Sequence, residues 1–200
     1  MARAVEARIR GRFVELCPFE EQLITDTYLG WLNDKDLMRY SRQRLEHHTR
    51  ESSMAYLRSF EDSSNKFWSI HRRADRLHIG TMTAYVDIVD GVADIGILVG
   101  HPAARGGGFG REAWGLAMDY LFRVEKVRKV TGGTSAPNVA MVRIFLHWQM
   151  KLEGIRREQE VFDGCPTDVL WFGMLSDEWG RSHPRPIAEF AATGDRDGRT

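Results

Sequence analysis

The chain has 200 residues, of which 28 are Lys or Arg and 28 are Asp or Glu, so its formal net charge is zero. Hydrophobic residues make up 42% of the sequence and include 10 Phe, enough for the core of one domain of ordinary size. The balanced charge argues against a nucleic-acid-binding protein, and the absence of an apolar run near 18 residues argues against a membrane-spanning helix. The charged N-terminus lacks the apolar segment of a secretory signal.

Two further absences bear on the compartment and on metal chemistry. Cys17 and Cys165 lie far apart in the sequence and in no motif, which indicates reduced thiols in a cytoplasmic protein. No His-x-x-x-His or Cys-x-x-Cys spacing occurs, so we expect no metal site. We therefore predict a cytoplasmic protein without nucleic-acid, membrane or metal partners, and leave its assembly open between a monomer and a homodimer.

The first half of the chain predicts a strand, three helical segments and then three strands in succession. Apolar residues recur with helical spacing in the helical segments, and Thr49 is a typical helix-capping residue with Glu51 in the following turn. Asp90-Gly91 is a strong hairpin signal between two of the strands. The predicted elements are a strand at 8–16, helices at 20–32, 34–40 and 50–60, and strands at 66–72, 77–89 and 92–99.

The second half predicts alternating helices and strands after a glycine-rich loop. The elements are a helix at 111–123, a strand at 129–132, a helix at 138–150, and a hairpin of strands at 154–162 and 168–175. The order predicts an α+β (mixed α/β) fold, with a central mixed, mostly antiparallel sheet of six to seven strands flanked by helices. Residues 181–200 contain two prolines and many charges, so we expect one domain over 1–180 followed by a poorly ordered tail.

The glycine-rich loop is the most informative segment of the chain. It runs from Arg105 through Gly106, Gly107, Gly108 and Phe109 to Gly110, between an Ile/Val-rich strand and a helix. Loops of this kind bind phosphate, because bare backbone N–H groups and the helix dipole converge on the anion.

Three phosphate-binding patterns can be compared with this loop. A P-loop would end in Gly-Lys-Ser/Thr, whereas this loop ends in Gly110-Arg111-Glu112. The dinucleotide fingerprint G-x-G-x-x-A does match at Gly108, but no acidic residue follows on the next strand and no βαβ unit precedes it. The third pattern, [Gln/Arg]-x-x-Gly-x-[Gly/Ala], matches at Arg105, Gly108 and Gly110.

This third pattern resembles the coenzyme A pyrophosphate loop of the GNAT acetyltransferase superfamily. The segment from Tyr28 to Asp34 (YLGWLND) is similar to the first helix of the branch that includes ribosomal-protein N-terminal and amino-sugar acetyltransferases. The segments FWSI, ending at Ile70, and HIG, ending at Gly80, resemble that branch's second and third strands. The resemblance covers roughly residues 8–178 and implies the same mixed sheet.

The resemblance also implies a set of residues that bind acetyl-CoA as cosubstrate. It suggests that backbone N–H groups of Leu98, Val99 and Gly100 bind pantetheine and the thioester carbonyl, where one well-placed donor stabilises a transition state by about 3–4 kcal/mol. Asn138 stands where the family's pantetheine-contacting Asn falls. The pyrophosphate would take the N–H groups of Gly106, Gly107, Gly108, Phe109, Gly110 and Arg111.

Three side chains of the loop leave two interpretations each. Arg105 is either a phosphate contact or a cation that fixes the loop. Phe109 is either a core residue or a stacking partner for adenine. Arg111 opens a helix, where a cation opposes the dipole, so it either meets a phosphate or lies in solvent.

The catalytic residues implied by the resemblance include one substitution. An alkyl ammonium has a pKa near 10, so only about one acceptor molecule in a thousand is reactive at neutral pH and a base would help. Asp94 is our candidate because it lies four residues before Leu98 and faces the same way on one strand; the alternative is a solvated carboxylate or a hairpin ion pair. Phe145 stands where the family's general acid is commonly Tyr, and a phenyl ring donates no proton.

The acceptor is the least determined part of the prediction. Arg39, Arg42 and Arg44 would grip an anionic acceptor such as a nucleotide sugar, or else form a solvated basic turn. The sequence predicts an acetyl-CoA-dependent N-acetyltransferase in which a primary amine attacks directly, the amine belonging to a small molecule such as an amino sugar or to a protein N-terminus. The alternative is a catalytically weak acyl-CoA-binding sensor or assembly module.

Overall fold

Nine strands form one continuous sheet in the computed structural model, which describes residues 8–191. Their order across the sheet is β7-β8-β6-β5-β4-β3-β2-β1-β9, and all neighbours are antiparallel except β5 and β6. The strands are β1 Arg8–Arg10, β2 Val14–Pro18, β3 Lys66–Arg72, β4 Leu77–Asp87, β5 Val92–Val99, β6 Lys129–Ser135, β7 Lys151–Phe162, β8 Cys165–Leu175 and β9 Glu189–Ala191. The helices are α1 Asp26–Asn33, α2 Arg50–Arg58, α3 Phe109–Arg123, α4 Val139–His147 and α5 Ser176–Ser182.

The predicted fold class is confirmed, but the sheet has nine strands rather than six or seven. One added strand arises because the predicted strand at 8–16 is a tight hairpin, in which the Gly11 N–H donates to the Val14 carbonyl at 2.9 Å. The carboxylate of Glu112, in the first turn of α3, accepts hydrogen bonds from the N–H groups of Arg12 (2.6 Å), Phe13 (2.9 Å) and Val14 (3.1 Å). An acceptor about a hundred residues away therefore stabilises this turn, and local alternation could not reveal it.

The other added strand, β9, corrects the predicted tail. Residues 189–191 pair with β1, and the Ile187 N–H donates to the carboxylate of Asp119 in α3 at 3.0 Å. The fold therefore extends past the boundary predicted at residue 180, while residues 192–200 lie outside the described range.

The predicted helices between residues 20 and 40 are shorter in the structure. The first begins only at Asp26, after Thr25, whose hydroxyl accepts from the Tyr28 N–H at 3.3 Å. The segment 34–40 is a turn instead of a helix, because the Asp34 carboxylate accepts from the N–H groups of Asp36 and Leu37 at 3.0 Å each. Such local side-chain bonds compete with helical hydrogen bonding.

Two hydrophobic cores lie on opposite faces of the sheet. The larger core packs α3 and α4 against one face and contains the fully buried Phe145, whose ring meets Trp114 at 5.2 Å between centroids. The smaller core packs α1 and α2 against the other face, around Phe19, Tyr28 and Trp31. No helix within residues 8–191 is long and apolar enough to cross a membrane.

Candidate active site

The sheet opens between its two parallel strands. β5 pairs with β6 only through Val92, Ala93 and Asp94, so residues 95–99 of β5 have no sheet partner on that side among the described residues. On its other side β5 pairs with β4 along its whole length, from Val92 to Val99. The result is a gap with one exposed strand edge.

The alternation of an antiparallel pair fixes which backbone groups face this gap. The Gly100 N–H donates to the Ile79 carbonyl on β4 at 2.9 Å, so Leu98, two residues earlier, also points its backbone groups at β4. In agreement, a Cβ built on Gly80 would lie 2.1 Å from the Leu98 carbonyl oxygen. The N–H groups of Ile97 and Val99 therefore face the gap, which corrects the expectation that those of Leu98 and Gly100 do so.

The glycine-rich loop follows directly and presents free N–H groups at the same end of β5. Gly106 and Gly108 have φ of +77° and +78°, a left-handed conformation that side chains rarely adopt. Gly108 is the N-cap of α3 and supplies no side-chain cap, so the first N–H groups of the helix stay open toward a ligand. Around the position of a Gly106 Cβ there is no atom within 4 Å, and these residues fit a diphosphate group.

The side chains around this turn have mixed roles. Arg105 reaches the Gly100 carbonyl at 3.4 Å, and the Arg111 guanidinium lies 3.4 Å from where a Gly108 Cβ would be. The Phe109 ring packs on the main core and lies 2.6 Å from where a Gly107 Cβ would be, which favours the packing interpretation for Phe109.

A cavity of about 440 Å³ lies on the sheet face that carries the smaller core, between β5 and the segments α1, α2 and 34–48. Gly96 lines it and lacks a side chain, which leaves space between Asp94 and Leu98 on the same strand face. The remaining lining residues are Tyr28, Leu32, Met38, Ser41, Gln43, Glu46, His47, His48, Ser52, Ser53, Tyr56, Phe67, Thr81, Met82, Thr83, Ile97 and Leu98. We refer to this cavity as the acceptor pocket.

Comparison with known proteins agrees with this geometry. Residues 14–151, more than half of the chain, match the sequence model of the Acetyltransferase (GNAT) domain. The chain belongs to the GNAT acetyltransferase family. The predicted family is therefore confirmed, although no curated protein sequence matches the chain.

Solved GNAT structures share the fold at low sequence identity. An acetyltransferase (GNAT family) from Bacillus anthracis superposes with a TM-score of 0.71 at 17% identity, covering 86% of this chain and 99% of that one. A spermidine N-acetyltransferase from Vibrio cholerae, in complex with CoA and spermine, gives 0.72 at 19%, covering 83% and 97%. The ribosomal-protein-S5-alanine acetyltransferase from Vibrio fischeri gives 0.73 at 14%, covering 86% and 98%.

In this GNAT fold Asp94 lies beside the acceptor pocket. It is half-buried, pairs across the sheet with Tyr85, and accepts from the Thr131 hydroxyl at 2.8 Å. The Tyr85 hydroxyl is 2.6 Å from that of the pocket residue Tyr56, which places this strand face toward the pocket. Burial raises the pKa of the Asp94 carboxyl, and the Thr131 hydrogen bond only partly opposes it.

The structure does not bring the predicted acceptor-binding arginines to the pocket. Arg39 lies over the Phe162 ring at 4.9 Å and 3.7 Å from the Asp163 carboxylate, and Arg44 donates to the Val161 carbonyl at 3.0 Å. Both thus hold the β7–β8 hairpin, and Arg42 lies in the same short 3₁₀ turn as Arg44. The pocket is instead lined by three neighbouring residues that the sequence analysis did not single out: Ser41 and Gln43, which alternate with the arginines, and Glu46, which follows them.

Asn138 and Gln149 bound α4 of the GNAT fold. The Asn138 side chain accepts from the Met141 N–H at 3.3 Å and donates to the Thr134 hydroxyl at 3.0 Å, so it caps the helix and leaves one amide hydrogen for a ligand. Gln149 has φ of +57°, in the left-handed region that is common just after a helix. The Met150 N–H donates back to the Phe145 carbonyl at 3.0 Å, as in a Schellman cap.

His78 makes the stability of this region depend on pH. Its ring packs on Trp31 at 5.0 Å and burial lowers its pKa to about 4. His78 therefore binds a proton less readily in the folded than in the unfolded state. Above pH 6.5 this group does not change the free energy of unfolding, and as the pH falls from 6.5 to 4 it lowers that free energy by up to about 3 kcal/mol.

We therefore expect His78→Gln, which retains an N–H donor for the Gly80 carbonyl, to reduce the loss of stability between pH 7 and 4.5. Urea denaturation at both pH values measures this loss for each protein. Equal pH dependence of the two proteins would contradict the assignment.

Proposed function

We propose that the protein is an acetyl-CoA-dependent N-acetyltransferase that transfers the acetyl group to a primary amine by direct attack. The proposal is carried by one arrangement, in which the open edge of β5 runs from the glycine-rich turn to the acceptor pocket. A ligand lying along this edge would have its anionic end at the turn and its reactive end beside the pocket.

The residues that would hold the coenzyme are backbone donors for the most part. The N–H groups of residues 106–111 suit the diphosphate, and those of Ile97 and Val99 suit the amide and thioester carbonyls. Asn138 supplies a further amide hydrogen near the end of β6. When bound, the coenzyme supplies an acetyl group activated as a thioester.

Asp94 is the group that supports proton removal from the acceptor. A carboxylate with a raised pKa is better matched to taking a proton near neutral pH than an ordinary one. The acceptor first loses its ammonium proton to Asp94 through water, which frees the nitrogen lone pair for attack. The new C–N bond would then form as the C–S bond breaks, and coenzyme A would leave as a thiolate that takes up a proton from solvent. Asp is one methylene shorter than Glu, which favours the water-mediated route.

Asp94→Asn is expected to lower turnover about 100-fold at pH 7, a typical contribution of a general base, while acetyl-CoA affinity stays constant. The deficit should shrink as pH approaches the pKa of the amine, because the free base then needs no assistance. Thr131→Val is the companion variant: it removes the hydrogen bond that lowers the pKa of Asp94, so the acidic limb of the rate profile should move to higher pH. An unchanged rate for Asp94→Asn across the pH range would place the base elsewhere.

A second candidate function is a sensor or assembly module that binds acyl-CoA with little catalysis. The burial of Phe145 in the core favours it, since no proton donor takes the position of the family's usual Tyr. Release of free thiol from acetyl-CoA, measured with a panel of amines, separates the two functions. Turnover supports the enzyme, whereas micromolar binding by calorimetry without turnover supports the module.

A further inference from the structure

Two buried residues that line the acceptor pocket carry hydroxyl groups without hydrogen-bond partners among the described residues. Tyr28 is 3% exposed, and its ring packs on Phe19 and Trp31 while its hydroxyl makes no hydrogen bond within residues 8–191. Ser53 is 6% exposed and its Oγ has no partner. Polar groups of buried side chains are normally paired, so the buried Ser53 Oγ and the unpaired Tyr28 hydroxyl in one cavity indicate hydrogen bonds reserved for a ligand.

The charge of the pocket restricts what that ligand can carry. Its described lining contains one carboxylate, Glu46, and no Lys or Arg. Glu46 is exposed and forms no ion pair within residues 8–191. A phosphate or carboxylate entering this cavity would lose water and meet the Glu46 carboxylate but no Lys or Arg of the described lining, whereas an ammonium group would be attracted to Glu46.

We propose that the acceptor is a compact primary amine that carries hydroxyl groups and no phosphate or carboxylate, and that Tyr28 and Ser53 select it by hydrogen bonding to those hydroxyls. The inference rests on the proposed acetyltransferase function and names the substrate class of the same pocket. Burial raises the pKa of the Tyr28 phenol, so this group stays protonated as a donor. A cavity of about 440 Å³ is of the size that small molecules occupy.

The test compares kcat/KM of the full chain for four acceptors at fixed acetyl-CoA. The probes are glucosamine, glucosamine 6-phosphate, cyclohexylamine and a tripeptide with a free N-terminus. We expect glucosamine to exceed each of the others at least tenfold, because a site built to bond hydroxyls discriminates against ligands that lack them and the described pocket lining has no Lys or Arg to pair with a phosphate. Preference for the phosphorylated amine, the hydroxyl-free amine or the peptide would overturn the inference while leaving acetyl transfer intact.

Two variants test the named residues. Tyr28→Phe and Ser53→Ala are each expected to lower kcat/KM for glucosamine about tenfold and that for cyclohexylamine less than twofold. Neither should lower the denaturation midpoint, because neither removes a hydrogen bond of the free protein. Tyr120→Phe is the matched control: its hydroxyl donates to Glu125 at 2.7 Å, away from the pocket lining, so it should leave acceptor selectivity unchanged.

The outcomes separate two kinds of failure. Equal losses for all amines in Tyr28→Phe and Ser53→Ala would show a structural role and contradict the selection of hydroxyl groups. No turnover with any probe, with acetyl-CoA binding intact by calorimetry, would instead refute the proposed acetyl transfer on which the inference rests.

Discussion

Gly108→Val is expected to weaken acetyl-CoA binding about 100-fold, equivalent to about 2.7 kcal/mol, while the protein still folds. The left-handed φ of +78° at this position aims the neighbouring N–H groups at the ligand, and a branched side chain would both disfavour that conformation and obstruct the approach. Isothermal titration calorimetry with acetyl-CoA measures the change directly.

Gly164→Val provides the matched control for this variant. Gly164 also has φ of +78°, but it lies in the β7–β8 turn with no atom within 4 Å of its Cβ position. Both variants should lose roughly 1–2 kcal/mol of stability from the same backbone strain, but only Gly108→Val should lose coenzyme affinity. Wild-type affinity in Gly108→Val would rule out the glycine-rich turn as the diphosphate site.

Asp119→Ala is expected to lower the free energy of unfolding by about 3–5 kcal/mol, because it leaves buried donors without their acceptor. The Asp119 side chain is fully buried in α3 and accepts from Arg123 Nε at 2.6 Å, Trp179 Nε1 at 2.8 Å and the Ile187 N–H at 3.0 Å. These bonds attach α5, and the segment that leads to β9, to α3. The sequence had predicted a poorly ordered tail from residue 181 onward.

Urea denaturation measures this loss. Asp75→Ala serves as the control because Asp75 also pairs with an arginine, Arg72, but on an exposed turn, so its midpoint should stay close to that of the wild type. Limited proteolysis should in addition cut Asp119→Ala near residues 183–188 sooner than the wild type. A wild-type denaturation midpoint for Asp119→Ala would contradict the role of this carboxylate.

Local patterns in the sequence were sufficient for the elements that depend on neighbours in the chain. The hairpin at Asp90-Gly91, the cap at Thr49 and the glycine-rich turn before α3 were all predicted at their observed positions, because turn chemistry and side-chain periodicity act over a few residues. The same turn also led to the family, through Arg105, Gly108 and Gly110.

The errors lie where a contact joins distant parts of the chain. The hairpin at Gly11 depends on Glu112, and the C-terminal strand depends on Asp119, neither of which is adjacent in sequence to what it stabilises. The alternation along 8–16 looked like one strand because a tight hairpin and a continuous strand share the same local pattern. Arg39, Arg42 and Arg44 left two interpretations open, an anion-binding set or a solvated basic turn, because a charged residue in a sequence does not show which way its side chain points.

The sequence by itself determined the family, the fold class and the position of the glycine-rich turn, because the glycines that adopt left-handed dihedrals there can be identified residue by residue. Only the tertiary structure decided which backbone donors of β5 are free, because that depends on the register with β4 and the separation from β6. It also decided the lining of the acceptor pocket, where residues from α1, α2 and three strands meet because opposite faces of one sheet bury two separate cores.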